Sequence, residues 1–351
     1  MTPHRAFALG TVATLSLGIS GLFGACSSTS APPAAGADGG QDGATSAADA
    51  AEGGATGNFD GSKGDPNVLV GSFQARLIAP ISAPATPGQT SLIGKVYDGA
   101  LPDNILWELQ QKEGDCRLVT PRVPFCKTPC GGSAVCVEND VCKPYPKANS
   151  AGSVTATGIK VQGAGASFTM TPIVNGYQPP AGTTLAYPGW AEGDDIKIQA
   201  AGDYYAPFTL VARGIAQLNL TSPSYALAKD QPLKLTWTPP AKAGVSTVQV
   251  KLDISHHGGT KGKIECDTAD SGALEISAPL ITKLLGLGVA GFPTVLVIRR
   301  AVGSAVIAPG RVDLVVSSDI EHDVIVPGVV SCTDTAQCPP GQTCQSDLTC
   351  K

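Results

Sequence analysis

Leu233-Lys234-Leu235-Thr236-Trp237-Thr238 and, after a turn, Thr247-Val248-Gln249-Val250-Lys251-Leu252-Asp253-Ile254 decide the fold class of this chain. In each stretch apolar and polar side chains alternate, so one face of an extended strand is greasy and the other is wet. Leu233, Leu235 and Trp237 are thereby assigned to a core. Pro239-Pro240 ends the first strand, because proline cannot donate to a ladder.

The same period of two spreads in both directions. Towards the N-terminus it marks residues 73–78, 90–96, 154–161, 167–174, 195–200 and 208–212. Towards the C-terminus it marks 262–266, 274–277, 294–298, 311–316 and 323–326. Residues 105–110 and 116–119 flank Lys112-Glu113-Gly114-Asp115, which predicts a hairpin. Pro279 to Gly286 is the one helix expected, with Pro near its start and Gly at its end. Trp190 lies between Pro188-Gly189 and Ala191-Glu192 with no alternation around it, so it is expected in a loop that contributes little to stability.

Composition agrees with strands and turns. Gly (42) and Pro (28) make up a fifth of 351 residues, and only 15% are charged. The net charge of −5 and the lack of any Lys/Arg cluster exclude a nucleic-acid surface. Residues 27–66 hold six acids against Lys63, so this linker carries −5 and the body after it, 67–351, is close to neutral at −1. Charge steering is not how such a body finds a partner.

The N-terminus predicts export. Met1 to Arg5 carries one firm positive charge; Phe7 to Ala25 is apolar and uncharged; Leu22-Phe23-Gly24-Ala25-Cys26 then has the pattern of a lipobox. Four glycines and four hydroxyl residues weaken the 19-residue stretch as a membrane span, and no basic stop-transfer flank follows. A plain secretory signal is the rival reading. Lipid on Cys26 would anchor the chain to the membrane, at about 0.8 kcal/mol per buried CH₂. Ser27, where some bacteria place a sorting Asp, implies the outer membrane of the bacterial cell envelope. Residues 27–66 lack Val, Leu, Ile, Met, Tyr and Trp, and cannot offset their ordering entropy. They are expected to be a disordered tether with a reach of roughly 35 Å.

Ten cysteines remain after Cys26, an even number suited to an oxidising compartment. Cys332, Cys338, Cys344 and Cys350 recur every six residues, and Cys130, Cys136 and Cys142 repeat that spacing after Cys126. So short a segment has almost no core and needs staples of roughly 2–4 kcal/mol each. A Cys₄ zinc site prefers C-x₂₋₄-C pairs, which the tail lacks. For the tail, the overlapping pairing Cys332–Cys344 and Cys338–Cys350 is expected, since nearest-neighbour bonds would leave two unlinked loops. Cys116 and Cys266 either pair with each other, or Cys116 joins the first knot and Cys266 stays free.

The fold class expected is mainly β: two β-sandwich-like domains and two small disulfide-knotted modules, after a signal peptide (1–25) and the tether (26–66). The first domain spans 67–221 with a Cys-rich module (116–142) inserted, the second 222–328, and the terminal module 329–351. Residues 233–254 resemble the opening strands of fibronectin type III and immunoglobulin-like sandwiches, with Trp237 as the core tryptophan. The predicted helix and the missing tyrosine corner depart from that pattern. Lipobox, stalk, β body and Cys-x₅-Cys repeats together resemble uncharacterised cysteine-rich surface lipoproteins of myxobacterial type, which implies a cell-surface location and carries no activity with it.

Chemistry is sparse. His256 and His257 are adjacent at a strand end, so their side chains are expected on opposite faces, and His322 sits in an expected turn; no metal is assigned to any of them. No G-x-S-x-G, H-E-x-x-H, P-loop or G-x-G-x-x-G occurs, so no cofactor and no catalytic residue is assigned. Asn219-Leu220-Thr221 is a formal glycosylation sequon, discounted in a bacterial lipoprotein. Tyr177, Tyr187, Trp190, Tyr204 and Tyr205 fall within 29 residues beside several carboxylates. They either plug one end of the β-domain or form a platform for a glycan or peptide partner. The expected role is non-catalytic: adhesion, interaction or envelope scaffold, with ligand binding through these loops as the alternative.

Overall fold

Two fourteen-residue strands, β18 (Thr294–Ile307) and β19 (Gly310–Asp323), pair from Thr294↔Asp323 to Ile307↔Gly310 and form the spine of the molecule. The computed structural model that shows them describes residues 64–82 and 85–351. The signal peptide, Cys26 and nearly all of the expected tether lie outside the described residues. Its last three residues do not: the Gly64 N–H donates to the Ile307 carbonyl at 2.8 Å, so the body begins by Gly64, ahead of the expected boundary at 67.

One sheet of nine strands is built on the spine. Against the first half of β18 lies β15 (Thr247–Asp253), followed by β16 (Lys263–Ala269), β6 (Cys116–Arg122) and β5 (Leu106–Glu113). Against the second half of the hairpin lies β1 (Leu69–Ile78), parallel to β19, then β4 (Gln89–Val96) and the two-residue β11 (Gly176–Tyr177). The sheet therefore takes strands from both sides of residue 221, and two consecutive domains, 67–221 and 222–328, are not what forms. Parallel pairing of the first strand with the last carries the chain from one expected domain into the other.

The two sandwich-like cores exist all the same, on one face of that shared sheet. The first lies under a four-stranded sheet of β10 (Ser167–Met170), β9 (Val154–Thr157), β12 (Asp195–Ala200) and β13 (Phe208–Arg213). Phe73, Leu92, Leu314 and Val316 meet Ala156, Ile198 and Leu210 there, all buried. The second lies under the pair β14 (Leu233–Thr236) and β17 (Ala273–Ile276) and under α1 (Ala278–Leu285), the predicted helix. Val250, Leu252, Val295 and Val297 meet Leu235, Trp237 and Leu280. Two further hairpins are small: β2 (Ile81–Ser82) with β3 (Ala85–Thr86), and β7 (Ala134–Glu138) with β8 (Val141–Pro144) in the first Cys-rich module. Among the described residues no helix is long and apolar enough to cross a membrane.

Between the cores the inward position on β18 is Arg299, and its side chain is 1% exposed. It meets Asp270, equally buried, with Nε to Oδ2 at 2.5 Å and Nη2 to Oδ1 at 3.0 Å. Its remaining N–H groups donate to the carbonyls of Gln217 and Thr238, and Asp270 also accepts from the Trp237 indole (2.7 Å) and Ser246 (2.6 Å). Burial alone would push the Asp270 carboxyl up. The hydrogen bonds from Arg299, Ser246 and Trp237, with the guanidinium charge, outweigh it and hold the group below the ordinary carboxylate range.

β4, second in the sheet order, ends at Val96, and ten residues later Leu106 starts β5, ninth in the order. Seven inter-strand steps need roughly 34 Å in a flat sheet, close to the full reach of about 33–36 Å for ten residues. Ala100, Leu101 and Asp103 of this connection lie over the face of β1 and β4 opposite the first core.

Candidate functional site

Of the two readings of the aromatic cluster, a plug or a platform, the structure has the rings packed inward. Trp190 is 2% exposed and its indole donates to the Ile215 carbonyl at 3.0 Å. Tyr177 and Tyr205 are buried in the same cluster, with Tyr187 and Tyr204 packed against it. Tyr177 Oη accepts from the Ala151 N–H (2.7 Å) and donates to the Gly152 carbonyl (3.0 Å); Tyr187 Oη donates to Gln217 (2.6 Å). Burial raises the phenol pKa of Tyr177, Tyr187 and Tyr205. Trp190 does lie in a loop, between β11 and β12, but its ring is core, because the close approach of Gly214 to it closes the second layer over it, a tertiary contact with no period in the sequence.

The histidines also differ from expectation. β15 ends at Asp253, and His257 takes a left-handed backbone (φ +62°), which turns its ring onto the same side as His256, with centroids 3.9 Å apart. His322 lies within β19 and stacks on Tyr225 at 4.6 Å.

Among the described residues five disulfides are formed. Cys116 and Cys266 face each other across β6 and β16 and bond inside the second core. The modules pair in overlapping order, Cys126–Cys136 with Cys130–Cys142 and Cys332–Cys344 with Cys338–Cys350. The terminal module docks where β18 begins: the Gly291 N–H donates to the Asp347 carbonyl (2.7 Å), and Ser331 Oγ donates to the Gly291 carbonyl (2.6 Å).

Among the described residues, a groove of about 880 Å³ lies on the coreless face of β1 and β4, within the range of small-ligand sites. Phe73, Ala75, Leu92 and Val96 point into the first core, so the alternate residues Ser72, Gln74, Ile93 and Lys95 point the other way and form the floor. The connection from β4 to β5 supplies Leu101 and Asp103 as one wall. The opposite wall is the turn before β11, where Ile173 and Gly176 exchange both backbone hydrogen bonds (2.8 and 2.9 Å) around Val174 and Asn175. Val174 (φ +49°) and Asn175 (φ +57°) are both left-handed. Asn tolerates that; a β-branched Val does so at roughly 1–3 kcal/mol. Val174 is 88% exposed, so its burial does not offset the strain. Ile93, Leu101, Ile173 and Leu69 are exposed around it. Lys95 and Asp103 form no ion pair among the described residues, whereas Arg76–Asp319 and Arg117–Glu265–Lys263 on the same face are paired.

Alternation could have exposed this groove, since Ser72, Gln74 and Lys95 are the polar positions of strands read correctly from sequence. Nothing in the pattern located the connecting segment that walls it.

No family model matches the chain, and no curated protein matches it. Among solved structures it is similar to chicken CNTN1 FN1–FN3 domains, at 7% identity over 70% of this chain and 72% of that one. The TM-score of 0.17 is too low for the likeness to carry an argument.

Proposed function

We propose that the chain is a lipid-anchored surface protein of the bacterial envelope, of the myxobacterial cysteine-rich kind, with a non-catalytic interaction or scaffold role. The lipobox Leu22-Phe23-Gly24-Ala25-Cys26 carries this reading, and the linker after it gives the body its distance from the lipid. Five disulfides in the described body suit an exported chain, because thiols stay reduced in the cytosol. Placement in the outer membrane rests on Ser27. A sugar platform built on the aromatic loops is not favoured, since those rings face inward.

Metabolic labelling with a palmitate analogue tests the anchor. The full chain should take label, and Cys26→Ser should take none and remain unprocessed. Label persisting in Cys26→Ser would end the reading.

A further inference from the structure

We infer that the groove on the coreless face of β1 and β4 binds a short, extended, aliphatic peptide segment of a partner protein. This deepens the interaction role proposed above and rests on it only for the partner's location.

Three features of the groove select the chemistry. Its exposed apolar residues are all aliphatic: Leu69, Ile93, Leu101 and Ile173. Beside Ile93 and Lys95, the floor carries the hydroxyl and amide groups of Ser72 and Gln74. A bare hydrocarbon tail laid over that floor would strip water from those groups and leave them unpaired. Peptide N–H and C=O groups would pair with them. Finally, the groove presents one cation and one carboxylate, Lys95 and Asp103, each without an ion pair among the described residues. A ligand bearing charge of one sign would meet repulsion from one of them. A peptide can place opposite charges at its two ends and match both.

Other occupants fit less well. An oligosaccharide wants flat, open aromatic faces; of the two tyrosines in the groove lining, Tyr177 is buried in the core and Tyr97 lies under the Lys95 ammonium, 5.7 Å from its ring centroid. Nucleic acid wants a cluster of cations, and Lys95 is the groove's single Lys or Arg.

The test uses the chain from Cys26 onward with Cys26→Ser, so lipid attachment plays no part and failure here is separate from failure of the anchor. The probes are two fluorescently labelled peptides, acetyl-Glu-Val-Leu-Ile-Val-amide and acetyl-Lys-Val-Leu-Ile-Val-amide, read by anisotropy. Cellohexaose and phosphatidylglycerol vesicles serve as controls. At least one peptide should bind, and Ile93→Glu and Leu101→Glu, both at exposed positions, should each weaken it tenfold or more without lowering the melting temperature. Lys95→Glu should shift the preference between the two peptides tenfold towards the Lys-bearing one. The inference is overturned if neither peptide binds, if binding ignores Ile93→Glu and Leu101→Glu, if Lys95→Glu leaves the preference unchanged, or if cellohexaose or the vesicles bind through the same residues.

Discussion

Trp237 shows how much one residue can hold at the boundary between two cores. Its ring packs in the second core with Leu233 and Leu235, and its indole N–H reaches Asp270, the carboxylate that neutralises Arg299. Trp237→Ala opens a cavity and removes one donor from a buried carboxylate, so a loss of about 3–5 kcal/mol is expected. Trp190→Ala should cost a similar amount, since that ring is equally buried and hydrogen-bonded in the first core. Chemical denaturation of both variants checks this, and a Trp190→Ala variant as stable as the parent would contradict the place of that ring in the first core. The buried pair makes a further prediction. Arg299→Met leaves Asp270 without its countercharge and should lose about 3–5 kcal/mol, whereas Arg299→Met with Asp270→Leu should recover much of that. The folded pKa of Asp270 lies below its unfolded value of about 3.9. Its stabilisation is thus complete above that unfolded value and is lost as pH falls through the lower folded one. Melting temperature measured from pH 6 down to pH 2 should drop in the acid range, and Asp270→Asn should flatten that part of the curve. Of this residue-scale picture the alternation of Leu233, Leu235 and Trp237 was legible in the sequence. The partner of the indole was not, because Asp270 is 33 residues away in a turn where an acid is ordinarily solvated.

Strands were the most legible elements, because period two survives wherever one face is buried. Residues 73–78 and 90–96 fall within β1 and β4, and the expected helix 279–286 overlaps α1 to within a residue at each end. The 105–119 hairpin forms as β5 and β6 around Gly114, whose left-handed backbone (φ +55°) the tight turn requires. Misreadings cluster where polar positions bear on tertiary contacts. Residues 167–174 were read as one strand, yet β10 stops at Met170, and Pro172 with the Val174–Asn175 turn redirects the chain to wall the groove. Close approach of the two layers is likewise silent in the pattern. A Cβ on Gly303 of β18 would lie 1.8 Å from the Val211 carbonyl of β13, so any side chain there forces the sheets apart. Gly303→Ala should cost several degrees of melting temperature, on the order of 1–3 kcal/mol as for other overpacked sites; a neutral result would contradict the close contact. Non-reducing peptide mapping should recover Cys116–Cys266, Cys332–Cys344 and Cys338–Cys350. A Cys338–Cys344 peptide would contradict the overlapping order.

For the molecule as a whole, the strand inventory predicted two sandwiches and the pairing joined them. A sequence pattern states which face of a strand is buried but not which strand lies beside it, so the parallel bond between β1 and β19 could not be read from alternation. That bond and the continuous β18–β19 hairpin make each core depend on the other, while the Cys116–Cys266 link, 150 residues apart in sequence, ties a strand from the first half of the chain into the second core. β18 and β19 line the first core with one half of their length and the second with the other half, and Arg299 fills the step between them. The groove follows from the same arrangement, since the connection from β4 to β5 lays Leu101 and Asp103 over the outer face of β1 and β4. Differential scanning calorimetry of the body, with disulfides intact, tests this unity most directly. One sheet shared by two cores predicts a single transition with calorimetric and van 't Hoff enthalpies in agreement. Two resolved transitions, with a fragment covering 222–328 reproducing one of them when expressed alone, would contradict it.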